Sequence, residues 1–115
     1  MSFNDSVAFL EKSLQGVMLR QQAISHNLAN QSTPGYRARD VDFQGALKDA
    51  LRSDGVDTLR FRIVEQEGNE VNAEGNNVNL EREWQNMEEN RLFHEMFSRA
   101  LGRRFRTMVR AIRGQ

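Results

Sequence analysis

The chain has 115 residues, no cysteine, and sixteen basic residues balanced by sixteen acidic ones for a formal net charge of +0. Its length bounds it to one domain, the missing thiols exclude disulfides and thiolate metal sites, and the charge balance removes any global pull toward nucleic acid or membrane. At 38% hydrophobic residues, the buried surface is expected to be small or to be completed by neighbouring copies.

The N-terminus, Met1-Ser-Phe-Asn-Asp-Ser-Val, lacks a basic segment followed by an apolar run, and no stretch is apolar enough to span a bilayer. Taken alone this reads as cytoplasmic. From Asp5 to Asn30, Val7, Leu10, Leu14, Val17, Gln21, Ile24 and Leu28 recur at spacings of three and four. The pattern predicts a helix of about 25 residues, capped by Asp5 or Ser6, with a heptad seam that asks for a partner helix. The helix must end at Asn27-Leu-Ala29-Asn30-Gln-Ser-Thr33-Pro34-Gly35-Tyr36. Pro34 pushes Thr33 out of the α region, Asn30 tolerates a left-handed end, and Pro34-Gly35 suits the centre of a type II turn. Asn27 is expected to cap its own helix, and Tyr36, an aromatic with a polar tip, reads as an interface anchor.

Phe43, Leu47 and Leu51 predict a short amphipathic helix over about Asp42–Arg52, broken by Ser53-Asp54-Gly55. Alternation over Thr58–Val64 predicts a half-buried strand, with a return strand over Glu70–Ala73 completing a small hairpin. Gly75, Asn76 and Asn77 form the second breaker, and Asn79 or Asn77 caps a last helix with Glu81 and Glu83 in its first turn. That helix runs to about Ile112 on a stripe of Leu80, Trp84, Met87, Asn90, Phe93, Phe97, Leu101, Phe105, Met108 and Ile112. The fold class is mainly α: two long terminal helices as an antiparallel coiled-coil hairpin (residues 1–34 and 77–115), enclosing a small irregular middle (35–76) with a short helix and a β-hairpin. Val7, Leu10, Leu14, Val17, Ile24 and Leu28, with Trp84, Met87, Phe93, Phe97, Leu101, Phe105, Met108 and Ile112, are the expected protein-interface residues.

Catalytic chemistry finds little footing. His94-Glu95-Met96-Phe97-Ser98 begins like a zincin helix but has serine at the second ligand position, and the only other histidine is His26. No cofactor or metal is expected, and the chain is read as no enzyme. The rival class is a nucleic-acid-binding or regulatory module using Arg91, Arg99, Arg103, Arg104, Arg106, Arg110 and Arg113. Because apolar residues interleave that run and glutamates precede it, charge pairing between subunits fits it better.

Asn27-Leu-Ala-Asn-Gln-Ser-Thr-Pro-Gly-Tyr36 resembles the Ala-Asn-x-x-Thr-Pro-Gly-Tyr signature of the axial proteins of the bacterial flagellum. The continuation Arg37-Ala38-Arg39-Asp40-Val41-Asp42-Phe43, then Gly75-Asn76-Asn77-Val78-Asn79-Leu80 and the end Ala111-Ile112-Arg113-Gly114, is similar to the proximal rod proteins among them. The resemblance implies a structural subunit of the basal-body rod that assembles helically with itself. It implies as partners a FliE-type adaptor at the rod base, other proximal rod proteins of the FlgC and FlgF types, and the flagellar type III export gate. It also implies a place in the periplasmic space, reached by that apparatus without a cleaved signal peptide.

Overall fold

The computed structural model describes residues 2–53 and 55–114; Met1, Asp54 and Gln115, which fall within the expected terminal helices and the middle break, lie outside the described residues. Helix α1 spans Phe3–Ala29, strand β1 Arg39–Val41, helix α2 Phe43–Ser53, strand β2 Ile63–Glu65 and helix α3 Leu80–Arg113, with a 3-10 turn at Val56–Thr58. The shape is elongated, 65 × 25 × 15 Å. No described helix is long and apolar enough to cross a membrane.

Helix α1 begins earlier than Asp5 because Ser2 is its cap: its hydroxyl accepts from the Asp5 N–H at 3.1 Å, and Asp5 adds negative charge to the first turn. At the other end Asn30 is not left-handed, with φ −110° and ψ 20°. It ends the helix differently, by donating its side-chain amide to the His26 carbonyl at 2.8 Å. Helix α3 is capped as expected by Asn79, whose side chain accepts from the Arg82 N–H, and it closes on a left-handed Gly114.

The two long helices run antiparallel, so that Asn90 of α3 donates to the Val17 carbonyl of α1 and Glu83 meets Asn27. The buried seam of α1 is Leu10, Ser13, Val17, Arg20, Ile24 and Asn27. It keeps the three-four spacing of the expected seam and its residues Leu10, Val17 and Ile24. It replaces Leu14, Gln21 and Leu28 by a polar row, because those polar groups find partners inside and Gln21 is better solvated. On α3 the buried residues are Glu83, Asn90 and Phe97, seven apart.

The core lies toward the α2 end of the hairpin. Phe43, 2% exposed, stacks on Phe61 at 5.0 Å and on Phe93 at 4.9 Å, with Phe97 at 6.0 Å. Leu10, Val17 and Val41 close around them. Phe61 reaches α1 at Gly16, where an added Cβ would stand 2.6 Å from its ring carbons. Ala46, Ala50 and Leu59 form a second small cluster under α2.

The middle differs from expectation in its strand pairing. The strand shrinks to β2, and its antiparallel partner is β1, with Arg39 opposite Glu65 and Val41 opposite Ile63, rather than the segment 70–73. The Asn76 side chain instead holds its segment to the carbonyls of Asn30 and Thr33, at and just past the end of α1.

Candidate functional site

The two breaker motifs seen separately in the sequence fold into one clamp. The turn at Thr33–Tyr36 closes through the Tyr36 N–H to the Thr33 carbonyl at 3.2 Å, and Gly35 has φ 76° as the third position of a type II turn requires. Against it lies the second motif. Gly35 N–H donates to the Glu74 carbonyl at 2.9 Å, and Asn76 donates its amide to the carbonyls of Asn30 and Thr33 at 2.9 and 2.8 Å. Asn77 accepts from the Ala38 N–H and donates its own N–H to the Tyr36 carbonyl. These asparagines supply the donors that the exposed carbonyls of a helix end lack.

Behind the clamp sits a buried polar cluster centred on Asn27, which is fully buried and does not cap its helix. Its amide donates to the Arg39 carbonyl at 2.7 Å and to Glu83 Oε1 at 2.8 Å, while its oxygen accepts from the Tyr36 hydroxyl and the Arg39 N–H, each at 2.9 Å. All four of its hydrogen-bonding positions are used. Gln66 donates to the same Glu83 oxygen at 2.8 Å. Asn27 thereby ties α1, β1, the turn and α3 together, and Tyr36 anchors within the chain. Burial pushes the Glu83 carboxyl above the usual range, and the donors from Gln66 and Asn27 pull only partly against it. Burial likewise raises the Tyr36 phenol.

A second node lies about two turns back along α1. Arg20, 5% exposed, donates to Asp40 at 3.0 Å, to Glu89 at 2.7 Å and to Asn86 at 3.2 Å. Burial disfavours its charge, but the bonds to Glu89 and Asp40 outweigh that and hold its pKa above the ordinary value. Sequence reasoning missed Arg20, Gln66 and Glu83. For Arg20 and Glu83 the signal was a period: Ser13, Arg20 and Asn27 recur every seven residues, as do Glu83, Asn90 and Phe97; Gln66 belongs to neither series.

Of the expected interface residues, Leu10, Val17, Ile24 and Phe97 are buried within the chain, and Val7, Leu14, Leu28, Met87, Phe93 and Leu101 are half-buried. Trp84, Phe105, Met108 and Ile112 stay outside, at 64%, 43%, 38% and 77% exposed. Among the signature residues Ala29, Thr33, Pro34 and Gly35 are exposed at the clamp's surface, while Asn30 and Gly75 are half-buried and Asn76 and Asn77 buried. Beyond Gly102, α3 has no buried residue. Its Arg103, Arg104, Arg106, Arg110 and Arg113 make no ion pair among the described residues. His26, His94 and Ser98 are exposed, and no group of three or more potential metal ligands gathers among the described residues.

No family model matches the chain. Curated relatives do. It is similar to the flagellar basal body rod protein FlgB of Salmonella typhimurium, 28% identical over 137 aligned residues that take in 95% of this chain and 94% of that one. FlgB of Escherichia coli is 38% identical over 47 residues, 41% of this chain, and FlgB of Aeromonas hydrophila 34% over 55 residues, 48% of this chain. In the match to the Escherichia coli protein the chain spans about a third of that relative's length, 34%.

Proposed function

We infer that this chain is a flagellar basal body rod protein of the FlgB type, a structural subunit of the rod at the base of the bacterial flagellum. The observation that carries the reading is the Salmonella typhimurium relative, named as such a rod protein, whose similarity runs through nearly the whole of both chains. The geometry supports it. The chain spends its buried polar groups on holding two long helices and a turn rigid, and it leaves apolar side chains such as Trp84 and Ile112 in water. Such a subunit has its binding surface on the outside. The nucleic-acid reading has no support from the relatives.

Within this reading the terminal segments 1–34 and 77–115 form the assembling helical domain and 35–76 the small middle segment between them. The chain joins copies of itself, other proximal rod proteins of the FlgC and FlgF types and a FliE-type adaptor. It reaches the periplasmic rod through the type III export gate and performs no catalysis. Heterologous contacts whose rotation does not close make tubes.

Basal bodies purified from cells that carry a tagged chain are expected to contain it, and deletion of its gene is expected to abolish motility. Recovery of the tagged chain with nucleic acid, and motile deletion cells, would overturn the reading.

A further inference from the structure

Helix α3 carries two uncovered apolar patches, one at each end. Near its start Leu80 and Trp84 are 44% and 64% exposed; near its end Phe105, Val109 and Ile112 are 43%, 41% and 77% exposed. Leu80 and Phe105 are 25 residues apart, as are Trp84 and Val109. Twenty-five residues make just under seven turns at 3.6 per turn, so the patches share one face of the helix, separated by about 37 Å. Their frames have opposite charge. The first turns of α3 expose Glu81, Glu88 and Glu89, of which Glu88 pairs with Arg91 and Glu89 with Arg20, whereas Met96 to Gly114 holds six arginines and no acid. Beside Trp84 on the helix lie Glu81 and Glu88; beside Val109 lie Arg106 and Arg113.

We propose that the arginine-framed end of α3 docks on the glutamate-framed end of α3 in a second copy of the chain, with a stagger of about 25 residues. The proposal rests on the rod reading for its direction, since an open assembly needs a contact whose two sides are different surfaces. Charge complementarity selects this partner: like ends repel, and the basic overhang has no acid of its own to pair with. Apolar area supplies the attraction and the charges set the register.

The chain has no cysteine, so engineered cysteines report the contact cleanly. Met87 and Ile112 are also 25 residues apart. Under mild oxidation, a mixture of Met87→Cys and Ile112→Cys chains is expected to yield dimers of the two kinds. Neither chain alone yields them, and a chain carrying both changes gives a ladder of multimers. Arg106→Glu lowers the yield about tenfold, and Glu81→Arg in the receiving copy restores it. Arg103→Ala and Arg110→Ala, on the other side of the helix, leave it within about twofold. Equal dimers from Ile112→Cys alone, only closed dimers from the double-cysteine chain, a chain that stays monomeric at low salt, or no recovery in the charge swap would each overturn the proposal. A tagged chain found in basal bodies together with a failed charge swap removes the docking and leaves the rod reading. A cross-linked ladder from a chain absent from basal bodies removes the rod reading and leaves the docking.

Discussion

At Asn27 a single side chain joins four elements, so its loss is felt at each of them. Asn27→Ala strands the Arg39 N–H and the Tyr36 hydroxyl, and it takes one of two donors from both the Arg39 carbonyl and Glu83 Oε1, which keep Gln66. Each buried group left unpaired costs about 1–3 kcal/mol, and partial rescue by water brings the expected total to about 3 kcal/mol. Urea denaturation measures it; a loss under about 1 kcal/mol would show that water replaces the amide freely. Glu83 adds a dependence on pH. Its Oε1 takes two hydrogen bonds while its Oε2 is buried with no partner among the described residues, and its carboxyl titrates above the usual range because it is buried. The folded state therefore binds this proton more tightly than the unfolded chain does. The stability from Glu83 is full below the unfolded value, about 4.3, and is lost as pH rises through the raised folded value. Glu83→Gln has no proton to lose. Its urea midpoint, followed upward from pH 4, is expected to lack that falling component, and a slope identical to the parent's would show that Glu83 titrates normally.

At the scale of elements, two glycines inside helices make opposite cases. A glycine in mid-helix costs about 1 kcal/mol relative to alanine, and at Gly16 that loss secures the approach of the Phe61 ring. Gly16→Ala would place a Cβ at 2.6 Å from the ring. Overpacking of about 1–3 kcal/mol then exceeds the gain in helix propensity, so the variant is expected to melt lower. Gly102→Ala meets only the flexible end of Arg106 at 3.4 Å and is expected to melt higher, by about 0.5–1 kcal/mol. Thermal unfolding of the two variants checks the signs; a stabilised Gly16→Ala would show that Phe61 yields readily. The same elements show what could be read beforehand. Both long helices, α2 and the turn at Pro34-Gly35 were legible, because periodicity and the special backbone needs of proline and glycine are local. The pairing of β2 with β1 was not. Three-residue strands carry too little pattern to choose a partner, and nothing local announces that Asn76 will hold its segment to the carbonyls of Asn30 and Thr33, more than forty residues away. The polar row of α1 was hidden for a related reason: Arg20 and Asn27 look like solvated residues until the partners Glu89 and Glu83, more than fifty residues away, are in place.

For the whole molecule, the distribution of buried groups along the long axis fixes where the isolated chain is firm. Both polar nodes, the clamp and the stacked rings of Phe43, Phe61, Phe93 and Phe97 lie between the turn and about the level of Leu101. Past Gly102 the helix continues for about three turns with every described side chain exposed, and its one side-chain hydrogen bond among the described residues, Thr107 to the Arg103 carbonyl, stays within the helix. A helix segment of that length is marginal in water without packing. In dilute solution, amide exchange is therefore expected to be slow over Leu10–Asn27 and Glu83–Phe97 and fast over Arg103–Arg113, which opens without disturbing the rest. Once a neighbouring copy covers Phe105, Val109 and Ile112, the same amides should slow by a factor that grows with protein concentration, because binding stabilises the ordered end by mass action. Slow exchange through Ile112 at high dilution would show that the end is stable unaided; fast exchange there in the assembled state would show that the apolar end remains uncovered, and either result would remove the coupling between ordering and assembly.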